Sequence, residues 1–282
     1  MDEDSGTKQT GRGDLGALKA LMALSFALAL TAAAGIVAIE VAPHGFAALT
    51  QGDTVAATAA AAVSPPAPVV PDLYWRRVGV SVQGRPILMA SFGSGGRRVL
   101  VIGGIHGSEF GSGVAEEFAA WLRMNPSAVP AGTRVDIVAC ANPDGRAANK
   151  KGNAHAVNLN GNFPTSNWKP QQYLTTTAGP RAGSEPETQA IMRLLKTGYS
   201  RVVSIHSQGG FIDYDGSDGR ALARRVAAAS GLPVKKLGPA PAYAGSLGTY
   251  VPERFGIPML TLELAARGMT PDVLDGLVAA VR

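Results

Sequence analysis

The sequence predicts an α/β fold with a mixed, mainly parallel sheet and helices on both faces. Short apolar runs rich in β-branched residues alternate along the chain with segments whose apolar residues recur at helical spacing. The run at 99–102 is typical of a buried strand, and the pattern at 112–124 is typical of an amphipathic helix. This alternation favours parallel neighbouring strands with helices packed on each side.

The remaining elements continue the alternation. We expect strands at 75–82, 86–92, 134–139, 201–206 and 257–264, and helices at 186–196, 221–229, 247–255 and 271–281. Ser184-Glu185-Pro186-Glu187 fits a capping box with Ser184 as the N-cap. The segment 142–183 has little regular pattern, and a segment of that length inside a compact domain is usually functional.

The chain divides into four segments by composition. Residues 1–19 are polar and are expected in the cytoplasm, and residues 20–42 are apolar and long enough for a membrane or signal helix. Residues 43–72 are rich in Ala and Pro and form an expected tether. Residues 73–282 are the expected folded domain.

The charge distribution predicts export of that domain. Lys8, Arg12 and Lys19 precede the apolar segment, and the next basic residue is Arg76, so the positive-inside rule places the C-terminal part outside the cytoplasm. The domain is then extracytoplasmic or periplasmic, either anchored in the inner membrane through 20–42 or released by signal cleavage. The net charge of +5, without a basic block, predicts no nucleic-acid partner.

A candidate metal site lies at the ends of two predicted strands. His106 and Glu109 come just after the strand at 99–102, and His206 ends the strand at 201–206. Two strand ends far apart in sequence can lie side by side in a sheet. Two imidazoles and one carboxylate match the three protein ligands of a catalytic zinc.

A carboxylate also interrupts the last predicted strand. Glu263 lies in the apolar run Met259-Leu260-Thr261-Leu262-Glu263-Leu264, where a charged side chain needs a partner or a function. One interpretation is a structural ion pair. The other is a general base that activates water and passes the proton to the leaving amine.

Five short motifs, in this order, resemble the zinc carboxypeptidase family (carboxypeptidase A-like). They are His106-Gly107-Ser108-Glu109, Asn142-Pro143-Asp144-Gly145, Asn158-Leu159-Asn160-Gly161-Asn162-Phe163-Pro164, Ser204-Ile205-His206-Ser207 and Thr261-Leu262-Glu263-Leu264. The resemblance covers about residues 74–282. Further segments, such as Asp213-Tyr214-Asp215-Gly216 and Gly245-Ser246-Leu247-Gly248-Thr249, are similar to the bacterial murein peptide amidase A branch.

The resemblance implies a role for individual residues. His106, Glu109 and His206 match the ligands of one zinc ion per chain, and Glu263 matches the catalytic base. Lys151 stands where the family usually has an Arg that stabilises the oxyanion, and it keeps the charge but not the bidentate fork.

The substrate side departs further from the family. Asn160 matches a residue that helps to bind the substrate's terminal carboxylate, but Gly161 replaces the Arg that usually pairs with this group. Asn158 replaces an Asp of the same motif. His155 either takes over part of the missing cation's role or is a solvated loop residue.

The resulting expectation is a zinc metallopeptidase of the cell envelope. The branch resemblance implies cleavage of the γ-D-glutamyl-diaminopimelate amide in a murein-derived peptide. One alternative is a deacylase of small N-acyl amino acids, similar to succinylglutamate desuccinylase. A second is a non-catalytic, zinc-retaining peptide-binding module.

Overall fold

The computed structural model describes residues 74–238 and 243–282. The described chain contains a seven-stranded sheet in the order β1-β2-β4-β3-β5-β7-β6. The strands are β1 (Arg76–Val80), β2 (Pro86–Gly93), β3 (Arg97–Gly103), β4 (Thr133–Val138), β5 (Arg201–Ser207), β6 (Phe211–Asp215) and β7 (Met259–Leu264).

The centre of the sheet is parallel and its two sides are not. β3 pairs in parallel with β4 and β5, and β5 pairs in parallel with β7. β1 with β2, β2 with β4 and β6 with β7 are antiparallel. The prediction of a mixed sheet with a parallel part is therefore correct, and the parallel part is the four central strands. Of the antiparallel pairs, only β1 and β2 are consecutive strands joined as a hairpin.

Six α-helices accompany these strands in the described residues. They are α1 (Gly111–Met124), α2 (Pro143–Ala148), α3 (Pro186–Leu195), α4 (Gly219–Ser230), α5 (Leu247–Phe255) and α6 (Pro271–Val281). Single 3-10 turns lie at Pro126–Ala128 and Leu159–Gly161. α2 and β6 were not expected from the sequence, because each is short and its apolar pattern is weak.

The expected capping box at the start of α3 is wrong. The N-cap is Glu185, which makes no side-chain capping hydrogen bond. The Ser184 hydroxyl donates to the Glu185 carboxylate at 2.6 Å. The Glu187 carboxylate accepts from the Val82 N–H and from Asn153, so both glutamates are used in tertiary contacts rather than at the helix end.

Two apolar clusters cover the two faces of the sheet. One contains Val99 and Val101 of β3 together with residues of α1, α4 and α6. The other contains Leu100 and Ile102 of β3 together with residues of α3 and α5. Helices thus pack on both faces, and side chains alternate between them as expected for a strand. Cys140 is buried just after β4.

No helix of the described residues is long and apolar enough to cross a membrane. The expected cytoplasmic, membrane or signal and tether segments, residues 1–72, lie outside the described residues.

Candidate metal centre and active site

The carboxyl ends of β3 and β5 bring His106, Glu109 and His206 together. His106 and Glu109 lie in the loop between β3 and α1, and His206 is within β5, the neighbouring parallel strand. Gly104 has a positive φ of 60°, which lets the loop leave the strand sharply. This edge of an open α/β sheet is where such folds place their ligands.

The three side chains share one small space. His106 Nδ1 lies 2.7 Å from Glu109 Oε1, and His206 Nδ1 lies 3.2 Å from Glu109 Oε2. One ligand atom from each residue lies within 4.8 Å of the other two. The Ser207 N–H donates to Glu109 Oε2 at 3.1 Å, which orients the carboxylate.

The electrostatics of this cluster fit a metal ion. Burial lowers the pKa of His106, which favours the neutral imidazole, the form that ligates metals. Burial alone would raise the pKa of Glu109, but hydrogen bonds with His106 and His206 outweigh it and hold the pKa well below its usual range. Two nitrogen donors and an ionised carboxylate are a zinc-type donor set.

Asn158 fixes the orientation of the His106 ring. Its Oδ1 lies 2.9 Å from His106 Nε2 and also accepts from the Asn160 N–H at 3.1 Å. Because a carboxamide oxygen only accepts, Nε2 is the donor in this contact. Nδ1, the nitrogen that faces Glu109, is therefore the atom that would ligate a metal. A second contact of this kind is a usual feature of metal-ligating histidines.

Glu263 lies beside the cluster on the next strand. In the β5–β7 ladder it is opposite His206, so the two side chains share one face of the sheet. Burial raises the pKa of Glu263 above its usual range. The carboxylate has no hydrogen-bond or ion-pair partner within residues 74–238 and 243–282, so the structural ion pair considered from the sequence is not present there.

The backbone of Lys151 is hydrogen-bonded to the loop that carries His106 and Glu109. Its carbonyl accepts from the Gly107 N–H at 3.2 Å and from Asn142 Nδ2 at 3.2 Å. A Cβ at Gly107 would lie 2.0 Å from the carbonyl carbon of Gly145, so only glycine permits this approach. The positive charge of Lys151 adds to the lowering of the His106 pKa. It also offsets part of the rise in the Glu263 pKa that burial causes.

The Gly161 position is closed by another side chain. A Cβ at Gly161 would lie 2.6 Å from the Tyr173 hydroxyl oxygen. The Tyr173 N–H donates to the Thr176 carbonyl at 2.8 Å, and the hydroxyl is hydrogen-bonded by Gln171. Asn160 Oδ1 accepts from the Leu247 N–H at 2.9 Å, which leaves the Asn160 amide N–H groups for a ligand.

A cavity of about 270 Å³ adjoins Glu263. Its walls include Asn160, Asp213, Asp215, Lys236 and Glu263. Asp213 and Asp215 come from β6, the antiparallel neighbour of β7, and share a face with Glu263. The cavity is therefore an extension of the candidate metal site along the sheet.

His155 lies apart from this cavity. Its Nδ1 is 2.8 Å from Glu185 Oε2, and 58% of its side chain is exposed. Asn153 Nδ2 donates to Glu185 at 2.7 Å and to Glu187 at 3.1 Å, so two buried carboxylates hold the loop that carries Lys151 and Asn158.

Several residues of the site were not identified from the sequence. Tyr173, Lys236 and Asn153 lie in irregular segments, where no period indicates which way a side chain points. Asp213 and Asp215 did carry a signal, because two carboxylates alternate with apolar residues two positions apart, which is typical of one face of a strand.

The sequence of this chain matches the model of the zinc carboxypeptidase family over residues 71–227. That match spans more than half of the chain and includes His106, Glu109 and His206. The chain belongs to the zinc carboxypeptidase family, which is a family of metallopeptidases. Glu263 lies beyond the matched residues, and its assignment rests on its place in the structure.

Curated relatives narrow the comparison. Murein peptide amidase A of Escherichia coli strain K12 is 34% identical over 142 residues, which are 45% of this chain and 57% of that protein. The alignment thus spans little more than half of that relative. Murein peptide amidase A of Vibrio campbellii is 29% identical over 200 residues, covering 66% of this chain and 77% of that protein.

Solved structures agree with the fold. The murein-tripeptide amidase MpaA of Escherichia coli O157 aligns with a TM-score of 0.60 and 27% identity, covering 73% of this chain and 90% of that one. Carboxypeptidase A of Helicoverpa armigera aligns with a TM-score of 0.60 at 18% identity, covering 73% of this chain and 64% of that one, and supports the fold alone.

Proposed function

We propose that this chain is a zinc-dependent hydrolase that cleaves an amide bond in murein-derived peptides, at the γ-D-glutamyl-diaminopimelate bond. The observation that carries the proposal is the convergence of His106, Glu109 and His206 beside the unpaired carboxylate of Glu263. One zinc per chain fits this donor set. When bound, zinc supplies a Lewis acid that makes water nucleophilic near neutral pH.

The residues of the chain divide the remaining work. Glu263, with its raised pKa, takes a proton from the attacking water and delivers it to the nitrogen of the leaving amine. A C–O bond forms and the C–N bond breaks, so one acid and one amine leave the site. The Lys151 ammonium stabilises the negative charge that develops on the carbonyl oxygen.

The proposed substrate class comes from the relatives. The relatives named murein peptide amidase A share up to 34% identity with this chain, and their name supports an amide in a murein peptide as the target. We also propose that the domain acts outside the cytoplasm. Residues 20–42 have the length of a membrane-spanning or signal segment, so the domain is either anchored by them or released when they are cleaved off.

The test compares two substrates on one protein. The zinc-loaded chain is incubated with murein tripeptide and, separately, with N-succinylglutamate, and the products are identified by mass spectrometry. We expect release of diaminopimelate from the tripeptide only, and loss of that release after chelation. Cleavage of succinylglutamate alone would favour the deacylase, and stoichiometric zinc with cleavage of neither would favour the binding module.

A further inference from the structure

The cavity beside Glu263 lies on the amine side of the scissile bond, if the proposed function holds. The base that takes a proton from water returns it to the leaving amine, so this amine must lie within reach of Glu263. Glu263 lines the cavity together with Asn160 and Thr261. The residue that leaves as the amine is therefore the residue that the cavity receives.

The walls of this cavity carry an excess of negative charge. Among the described residues that line it, Glu263, Asp213 and Asp215 are carboxylates and Lys236 is the one cation. Lys236 Nζ lies 2.6 Å from Asp215 Oδ1 and 3.5 Å from Asp213 Oδ1, so its charge is already shared by two carboxylates. The neighbouring residues 239–242 are Pro and Ala by sequence and add no charge.

The position that follows Asn160 in the chain supplies no cation to the cavity. Gly161 has no side chain, and the direction in which one would extend is occupied by the Tyr173 hydroxyl. Tyr173 is held in place by hydrogen bonds to Thr176 and Gln171. A free carboxylate that entered beside Asn160 would meet neutral dipoles and the carboxylates of β6, and like charges brought together disfavour binding.

We propose that this cavity selects a leaving residue whose α-carboxyl group is blocked as an amide, either as a primary carboxamide or as a peptide bond to a following residue. Such a group is neutral. Its carbonyl can accept from the Asn160 amide, whose oxygen is already used by the Leu247 N–H. Its N–H can donate to Asp213 or Asp215, each of which has one oxygen without a hydrogen bond within the described part of the chain.

The experiment uses a matched pair of substrates and the zinc-loaded full chain. Both are γ-D-glutamyl-diaminopimelate peptides. In one the diaminopimelate carboxyl next to the scissile nitrogen is free, and in the other it is a carboxamide. We expect kcat/KM to be about tenfold higher, or more, for the carboxamide, because the free acid adds a like charge to the cavity. A free acid that is cleaved as fast or faster overturns the proposal.

Two variants test the cause of the preference. Asp215→Asn removes one negative charge and releases Lys236, so it should narrow the ratio between the substrates by raising kcat/KM for the free acid. Asp275→Asn makes the same charge change on the exposed face of α6 and should leave the ratio as it is. An unchanged ratio in Asp215→Asn would contradict the electrostatic cause.

A double variant tests the space at Gly161. Gly161→Arg alone would collide with Tyr173, whereas Gly161→Arg combined with Tyr173→Ala gives the cation room. We expect the double variant to prefer the free acid. If it keeps the preference of the unmodified chain, then the Gly161 position does not contact the leaving residue and the proposal fails.

A binding measurement tests the preference of the cavity independently of the proposed hydrolysis. Isothermal titration calorimetry does not depend on hydrolysis. The zinc-loaded chain is titrated with free diaminopimelate and with diaminopimelate amidated at the carboxyl that lies next to the scissile nitrogen in the peptide. Tighter binding of the amide supports the cavity assignment even if neither peptide is cleaved, an outcome that would remove the proposed reaction alone. Equal or tighter binding of the free acid overturns the cavity assignment even if both peptides are cleaved.

Discussion

Two carboxylates in the same sheet have opposite surroundings. Asp136, in β4, is fully buried and is hydrogen-bonded by Ser91, Arg98, Arg134 and Tyr199 at 2.5–2.9 Å. Glu263, in β7, is half-buried and has no such partner in the described chain.

The pKa directions follow from these surroundings. Burial alone would raise the pKa of Asp136, but its four hydrogen-bond donors hold the pKa below its ordinary value. For Glu263, nearby charges such as that of Lys151 offset burial only in part, and its pKa is raised. A carboxylate whose acceptor sites are all used stabilises the fold, whereas one with free lone pairs next to a metal-type cluster is available for proton transfer.

The largest expected effect is on Glu263. Glu263→Gln keeps the size of the side chain but removes the basic oxygen, so we expect kcat to fall by about 10³-fold or more. Zinc content, measured by atomic absorption, should remain at one ion per chain, and the melting temperature should change little. A variant that keeps full activity would exclude Glu263 as the base.

Lys151 tests whether the unpaired carboxylate works with a neighbouring cation. Lys151→Met removes the charge that we propose stabilises the oxyanion, and we expect kcat to fall by about 10²-fold with KM little changed. Lys151→Arg should restore most of the rate. Steady-state kinetics with zinc held in excess give both constants, and a change confined to KM would instead indicate a role in binding.

Asp136 tests the stabilising half of the comparison. Asp136→Asn leaves Arg98 without its carboxylate, so we expect the free energy of unfolding at pH 7 to fall by about 3 kcal/mol, measured by urea titration. Activity per folded molecule should not change.

The pH dependence of this loss has a definite sign. Because the pKa of Asp136 is lower in the folded than in the unfolded chain, its contribution is present above the unfolded value of about 3.9 and is lost as the pH falls. The difference between Asp136→Asn and the unmodified chain should therefore shrink in acid. A difference that stays constant from pH 7 to pH 3 would contradict the assignment.

The smallest expected effect is on metal affinity. Asn158→Asp gives His106 a charged partner at the contact of 2.9 Å, which makes the imidazole a stronger donor. We expect zinc to bind about tenfold more tightly, measured by competition with a chromogenic chelator. Asn158→Ala should bind zinc more weakly than the unmodified chain, and equal affinities in all three would remove this residue from the support of the metal.

The central strands and the residues at their ends could be predicted from the amino-acid pattern alone. His106 follows the end of β3 and His206 lies near the end of β5. Parallel neighbours in a sheet align such ends because the hydrogen-bond ladder fixes their register. Glu263 could also be identified from the sequence, because it interrupts an otherwise apolar strand. These patterns are local in the sequence, and the geometry of paired strands determines where the side chains lie.

The surroundings of Gly161 and of the cavity beside Glu263 could not be predicted from the amino-acid pattern. Tyr173 fills the space at Gly161, and Lys236 contacts Asp213 and Asp215. Tyr173 and Lys236 both lie in irregular segments, and a loop has no period that predicts where its side chains point. Arg134 lies in the same strand as Asp136, two residues away. The other three partners, Ser91, Arg98 and Tyr199, could not be predicted, because they come from separate segments that meet only when the sheet is assembled.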